Sequence, residues 1–244
     1  MGSYIRFTAD SPAGGILTQT GRQEPSPAVV ILPAVAGLNP YISQVANQLA
    51  AQGYASLALD YYAEAGAAPD LSDRAKITAA VESLSEHKIL NDVSAGIDYL
   101  KEQSTVNADR IAVLGFCIGG TYAILSASRF DMLTCVISFY GTLKYAAASD
   151  DKRHSPIDAL AHSSCPILGH YGETDSLIPL EHVQEMRKRL RTRPAEIYTY
   201  PGAGHAFHEH VRPEVYRPVA AKESWQRTLD YLDWYCKNKS VLQT

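Results

Sequence analysis

Short, uninterrupted apolar runs alternate with longer segments of helical periodicity along most of this chain, and few architectures accommodate that alternation. The runs AVVILP (28–33), YASLALD (54–60), RIAVLGF (110–116), MLTCVISFYG (132–141), CPILGHYGETD (165–175) and AEIYTY (195–200) read as strands. A strand covered on both faces needs no polar residue at alternate positions, and these runs carry few. Between them, NPYISQVANQLAAQG (39–53), LSDRAKITAAVESL (71–84), HKILNDVSAGIDYLKEQ (87–103), LEHVQEMRKRLR (180–191) and VAAKESWQRTLDYLDWYCK (219–237) read as helices. Pro40 falls in the first turn of one and Gly53 closes it. Ile89, Val93, Ile97 and Leu100 recur at helical spacing in another. Strands alternating with helices imply an α/β fold, a mostly parallel central sheet with helices on both faces. The 244 residues suit a single α/β domain over 1–244. Such a sheet places its sites at the carboxyl ends of its strands.

Charge and composition exclude several function classes. The net charge is -4, so a nucleic acid or an acidic membrane is not an expected partner. The longest basic cluster, RKRLRTR (187–193), sits at the end of a helix, where positive charge complements the helix dipole. No stretch approaches the roughly 18 apolar residues of a membrane span. The start, MGSYIRFT, lacks the apolar region of an export signal. The cysteines at 117, 135, 165 and 236 show no paired spacing, which suits a reducing, cytoplasmic setting better than a disulfide framework or a zinc site. The histidines of HAFHEH (205–210) have no acidic or cysteine cluster of matching spacing elsewhere, so no metal site is expected. His208 and His210 read as rim or surface residues.

One turn stands out. GFCIGGT (115–121) follows a strand and opens into the small and apolar run TYAILSA (121–127). The pattern G-x-C-x-G in a strand-to-helix turn is the setting of a nucleophile held in a strained conformation. Gly115 and Gly119 leave room where strand and helix pass close together. A helix N-terminus beneath Cys117 favours its thiolate, and the N–H of Ile118 points toward the same space as a donor for an oxyanion. An acid and a histidine should follow in that order. Asp175 comes just past one predicted strand, with Glu173 as the rival carboxylate, and His205 just past the next, in the Gly-rich PGAGHAF. In such a set the histidine takes a proton from the nucleophile and the acid fixes its tautomer.

These segments resemble the dienelactone hydrolase (carboxymethylenebutenolidase-like) family of the α/β-hydrolase superfamily. The resemblance rests on LPAVAGLNPYISQVANQLAAQGYASLALDYY (32–62), GFCIGG (115–120), SFYG (138–141), PILGHYGETDSLIP (166–179), YPGAGHAFH (200–208) and RPEVYRPVAAKESWQRTLDYL (212–232). It implies a cofactor-free cysteine hydrolase, monomeric or homodimeric, that cleaves a small-molecule ester or lactone through Cys117, Asp175 and His205 and an acyl-cysteine intermediate. It also implies a second oxyanion N–H at Val35, and a pocket drawing on Ala34, Tyr140, Phe207, Glu209 and Arg74. Two positions depart from the family pattern. A glutamate expected to prime the thiol is replaced by Ala34. An arginine expected to hold a substrate carboxylate is replaced by Glu209, which argues against dienelactone itself. A non-catalytic small-molecule binder on the same fold is the alternative reading, favoured by Ala34. An amidase of the glutamine amidotransferase type is disfavoured, because Phe207 stands where that class places an acid.

Overall fold

The structure is a computed structural model and describes residues 2–8, 11–147, 149–152 and 154–238. Its strands are β1 (Ser3–Arg6), β2 (Gly14–Thr18), β3 (Ser26–Leu32), β4 (Ala55–Leu59), β5 (Val106–Phe116), β6 (Val136–Phe139), β7 (Ile167–Gly172) and β8 (Ala195–Tyr200). Its helices are α1 (Pro40–Ala51), α2 (Arg74–Ser83), α3 (Glu86–Lys101), α4 (Ile118–Arg129), the short α5 (Pro156–Ala159), α6 (Leu180–Leu190) and α7 (Pro218–Leu232). Among the described residues these eight strands share one sheet, in the order β1-β2-β4-β3-β5-β6-β7-β8. The pairs from β4 through β8 are parallel, whereas β1 and β2 add to the edge antiparallel.

The apolar runs form the centre of this sheet. Ala28 to Leu32 of β3 and Ile111 to Leu114 of β5 are wholly buried. That is the burial expected of strands covered on both faces. The antiparallel edge was not expected from the sequence. β1 is largely exposed, and β2 begins with two glycines, so neither presents an apolar run. Two expected strands are shorter than their apolar segments. The strand expected over 132–141 narrows to β6, because Leu133 turns back onto the Phe130 carbonyl and Tyr140 leaves the ladder at φ 42°. The strand expected over 165–175 narrows to β7, because Glu173 and Thr174 fold onto the loop after β8. The last helix ends as such at Leu232 and continues as a π-helical turn over Asp233–Lys237.

Register aligns the carboxyl ends of the central strands. Leu32 pairs with Gly115, Phe116 with Phe139, Phe139 with His170, and Gly172 with Tyr200. The loops that follow β3, β5, β6, β7 and β8 therefore leave the sheet side by side. α1 begins just beyond the first of these loops. The Asn39 side chain accepts from the Ile42 N–H, and Pro40 occupies the first turn. Its apolar face, with Tyr41, Ile42, Val45 and Leu49, is buried.

α4 meets both β5 and the end of β3 at close backbone range. A Cβ at Gly115 would run into the carbonyl of Gly119, and a Cβ at Gly119 into the carbonyls of Leu32 and Pro33. Backbone atoms cannot swing aside as a side-chain tip can. Gly119→Ala should therefore lower the stability to urea by about 1–3 kcal/mol or prevent folding. Gly66→Ala, at φ 72° with open space around it, should cost about 1 kcal/mol. Equal midpoints for the two variants would show that the approach is not tight.

Candidate active site

Cys117 occupies the one-residue hinge between β5 and α4, at φ 55° and ψ -121°. An L-residue with a side chain rarely adopts that backbone, and surrounding structure must hold it there. The Cys117 N–H donates to the Phe139 carbonyl at 3.0 Å, and its own carbonyl accepts from the Thr121 N–H at 3.1 Å. Ile118 is the first residue of α4, where a backbone N–H has no intrahelical partner. Val35 lies in the loop after β3, pinned through its carbonyl by the Tyr62 hydroxyl at 2.6 Å. Among the described residues neither the Val35 nor the Ile118 N–H is used in a backbone hydrogen bond outside the regular elements.

The loops after β7 and β8 are tied to each other. Glu173 N–H donates to the Tyr200 carbonyl at 3.0 Å, and both the N–H and the hydroxyl of Thr174 donate to the Ala203 carbonyl. This places Asp175 against His205. The His205 Nδ1 lies 2.9 Å from the Asp175 Oδ2, while the Asp175 Oδ1 accepts from the Leu177 N–H at 2.8 Å. A carboxylate can only accept, so Nδ1 carries a proton and Nε2 is turned to Cys117. The Nε2 to Sγ distance is 3.1 Å. The Asp175 side chain is wholly buried, whereas Glu173 is exposed. Of the two carboxylates, the structure brings Asp175 to the histidine.

Burial alone would discharge the His205 ring. The charge of Cys117, the hydrogen bonds with Asp175 and Cys117, and the Asp175 charge outweigh it and raise the ring to about 10. The thiol meets this ring directly, with no carboxylate between them. Position 34 supplies none. Away from the site, burial pushes the Cys135 thiol up and the Cys165 thiol up to about 12.

Above Cys117 lies a cavity of about 560 Å³. Ala34, Val35, Tyr140, His205 and Glu209 line it, with apolar walls from Ile42, Ile77 and Val81. Among the described residues the non-glycine positions at positive φ are Cys117, Tyr140 and Ala206, and all three border this cavity. Two residues expected in the pocket lie elsewhere. Phe207 is fully buried behind the wall, its ring 5.4 Å from that of Tyr140 and 5.1 Å from that of Tyr200. Arg74 is exposed at the start of α2, which turns Ile77 and Val81 toward the cavity instead. His208, expected at the rim or surface, is buried, with its Nδ1 2.7 Å from the Tyr41 hydroxyl. Sequence reasoning missed Tyr41 and Arg212, both of which line the cavity. Arg212 stands at the rim, 3.4 Å from Glu209. Burial raises the Glu209 carboxyl, and Arg212 opposes that shift. Among the described residues no cluster of three or more His, Cys, Asp or Glu side chains could hold a metal ion, and no helix is long and apolar enough to cross a membrane.

Residues 14–236 match the profile of the Dienelactone hydrolase family. A Bradyrhizobium sp. protein named "Probable 2-oxo-3-(5-oxofuran-2-ylidene)propanoate lactonase" is 44% identical over 218 residues, covering 88% of this chain and 87% of the relative. A Salmonella typhimurium protein that carries a carboxymethylenebutenolidase name is 33% identical over 214 residues, covering 86% and 77%. A crystal structure from Klebsiella pneumoniae that carries a dienelactone hydrolase name superposes with a TM-score of 0.89 at 26% identity, covering 96% of this chain and 99% of the other.

A raised His205 keeps its proton at neutral pH and loses it only on the alkaline side. In an NMR titration its ring signals should move near pH 10. In Cys117→Ala, which removes the sulfur's charge, the midpoint should fall. A midpoint near the ordinary histidine value of about 6.5 in both proteins would refute the charged pair.

Proposed function

The chain belongs to the dienelactone hydrolase family and is a hydrolase of lactone or ester bonds; on that premise we propose that it works through a Cys117–His205–Asp175 triad and an acyl-cysteine intermediate. The observation that carries this reading is the continuous contact from the Asp175 Oδ2 to the His205 Nδ1 and from Nε2 to the Cys117 Sγ, at 2.9 and 3.1 Å, at the floor of the cavity. The sulfur attacks the substrate carbonyl, and the N–H groups of Val35 and Ile118 receive the developing oxyanion. The ring or ester C–O bond breaks, and the leaving oxygen takes the proton from the His205 Nε2. A water, activated by the same nitrogen, then hydrolyses the thioester.

Ala34 favours the alternative of a binder without turnover, since the family's priming glutamate is missing there. The contact between Sγ and Nε2 weighs against it, because the histidine supports a thiolate without that carboxylate.

The name of the Bradyrhizobium relative specifies a lactone that bears a carboxylate. A substrate of that kind suits a cavity with apolar walls and Arg212 at its rim. Arg212 is held at present by Glu209 at 3.4 Å and by the exposed Glu214 at 3.0 Å, and of the two it is Glu209 that lines the cavity. A substrate carboxylate would take its place on the guanidinium. The substrate is then a compact lactone that carries a carboxylate, with Arg212 supplying the positive charge that position 209 does not.

Cys117→Ala should abolish hydrolysis of p-nitrophenyl acetate and of carboxylated lactones with its urea midpoint little changed; retained turnover would sink the nucleophile assignment. Iodoacetamide near neutral pH should label one fast thiol of the four, and that labelling should vanish in the same variant. Asp175→Asn should lower kcat by about 10²–10⁴. Arg212→Gln should raise KM about tenfold for carboxylated lactones and leave neutral esters nearly unaffected, a charged hydrogen bond being worth about 1.5–3 kcal/mol.

A further inference from the structure

Strain at Cys117 and at Ala206 belongs to the elbow and to the loop that carries His205. Strain at Tyr140 has no such account. Its φ of 42° is held by its N–H, which donates to the His170 carbonyl at 2.8 Å, and it turns the side chain over the cavity. Strained residues persist where surrounding structure imposes them, and they cluster at functional sites. The Tyr140 ring stands 5.1 Å from that of His205.

The Tyr140 hydroxyl begins a buried polar chain. It lies within electrostatic reach of the hydroxyl of Tyr41, which is 2.7 Å from the His208 Nδ1. All three side chains are buried, and the His208 ring packs among Phe116, Phe139 and Trp225. Burial, then the neighbouring His210, lowers His208 to about 3, so it is neutral and holds a single N–H. The chain can point two ways. With the proton on Nδ1, His208 donates to Tyr41, Tyr41 donates to Tyr140, and Tyr140 presents its proton to the cavity. Reversed, Tyr140 donates inward and presents lone pairs to the cavity.

The surroundings choose between these directions. Glu209 and the Cys117 sulfur are the negative groups that act on the Tyr140 hydroxyl, with Arg212 opposing them. Lone pairs turned toward a carboxylate and a thiolate are repelled; an O–H turned toward them is attracted. We propose that Tyr140 is a further catalytic residue whose hydroxyl donates a hydrogen bond to the leaving oxygen of the substrate, and that Tyr41 and His208 are positioning residues that keep its proton directed into the cavity. The proposal rests on the acyl-Cys117 reading. In that mechanism the carbonyl oxygen is taken by Val35 and Ile118, so a donor beside His205 meets the leaving oxygen instead. The Sγ–C bond forms and the C–O bond breaks. The electron pair goes to the leaving oxygen, which receives the proton of the His205 Nε2. Tyr140 keeps its own proton and shares it while charge develops.

The test is a series of acetate esters whose leaving alcohols run from p-nitrophenol through phenol and trifluoroethanol to simple alkanols. Acylation of Cys117 is read by mass, and kcat/KM by turnover. Tyr140→Phe should lose about 10–100-fold on the alkyl esters, the range of a hydrogen bond to a charged group. It should lose only about threefold on the p-nitrophenyl ester, whose leaving oxygen needs little help. Tyr41→Phe and His208→Leu should steepen the same dependence less, and the two together should be no worse than the larger single loss. If Tyr140→Phe fails to fold, Tyr41→Phe carries the same test. Losses equal across the series, or no loss, overturn the role of Tyr140 while leaving Cys117 in place. Failure of the wild-type protein to acylate with any ester overturns the Cys117 reading, and the Tyr140 role with it.

Discussion

At Gly115 and Gly119 the carbonyl oxygens of Gly119 and Leu32 occupy the volume that a Cβ would need, so β5 and α4 meet backbone to backbone. The rest of the site depends on this contact. It forces the turn between them to a single residue, and that residue is held at φ 55°. A longer turn would let Cys117 relax into the wall. The same contact brings the loop after β3, which carries Val35, against the start of α4, where Ile118 lies. Strain at one residue is offset by a large, wholly buried strand core on either side.

Electrostatics in the cavity follows from how few charges it holds. Asp175 is removed from water and spends one oxygen on a backbone N–H and the other on His205. A ring so placed keeps its proton when a negative sulfur faces it, despite the burial that would otherwise discharge it. At the rim, Glu209 and Arg212 form a second pair, half open to solvent, which screens it. The two pairs thus lie at different depths, one at the floor of the cavity beside Cys117 and the other at its mouth.

Much of this was legible in the sequence, and the limits are physical. The parallel core could be read because strands buried on both faces appear as continuous apolar runs. The edge strands β1 and β2 could not, because exposed and glycine-containing strands carry no such signal. The order Cys117, Asp175, His205 stood out because each follows directly on an apolar run. The choice between Asp175 and Glu173 was not open to spacing, since it depends on which carboxyl the folded loop turns inward. Phe207 and His208 are neighbours of His205 in sequence, yet both point behind the cavity wall. Arg212 and Tyr41 reach the cavity from a loop and a helix start whose local patterns advertise nothing.

The sequence by itself therefore determined the layered α/β architecture, the glycines that permit the elbow, and the chemical types arrayed along one edge of the sheet. These follow from local periodicity and from steric demands that act between near neighbours. Only the tertiary structure decided which side chains share the cavity: that Arg212 stands against Glu209, that Arg74 faces solvent, and that the buried His208 meets Tyr41 behind the cavity that Tyr140 lines. Those contacts span up to 167 residues of sequence. They depend on strand register and loop direction, and no local pattern encodes either.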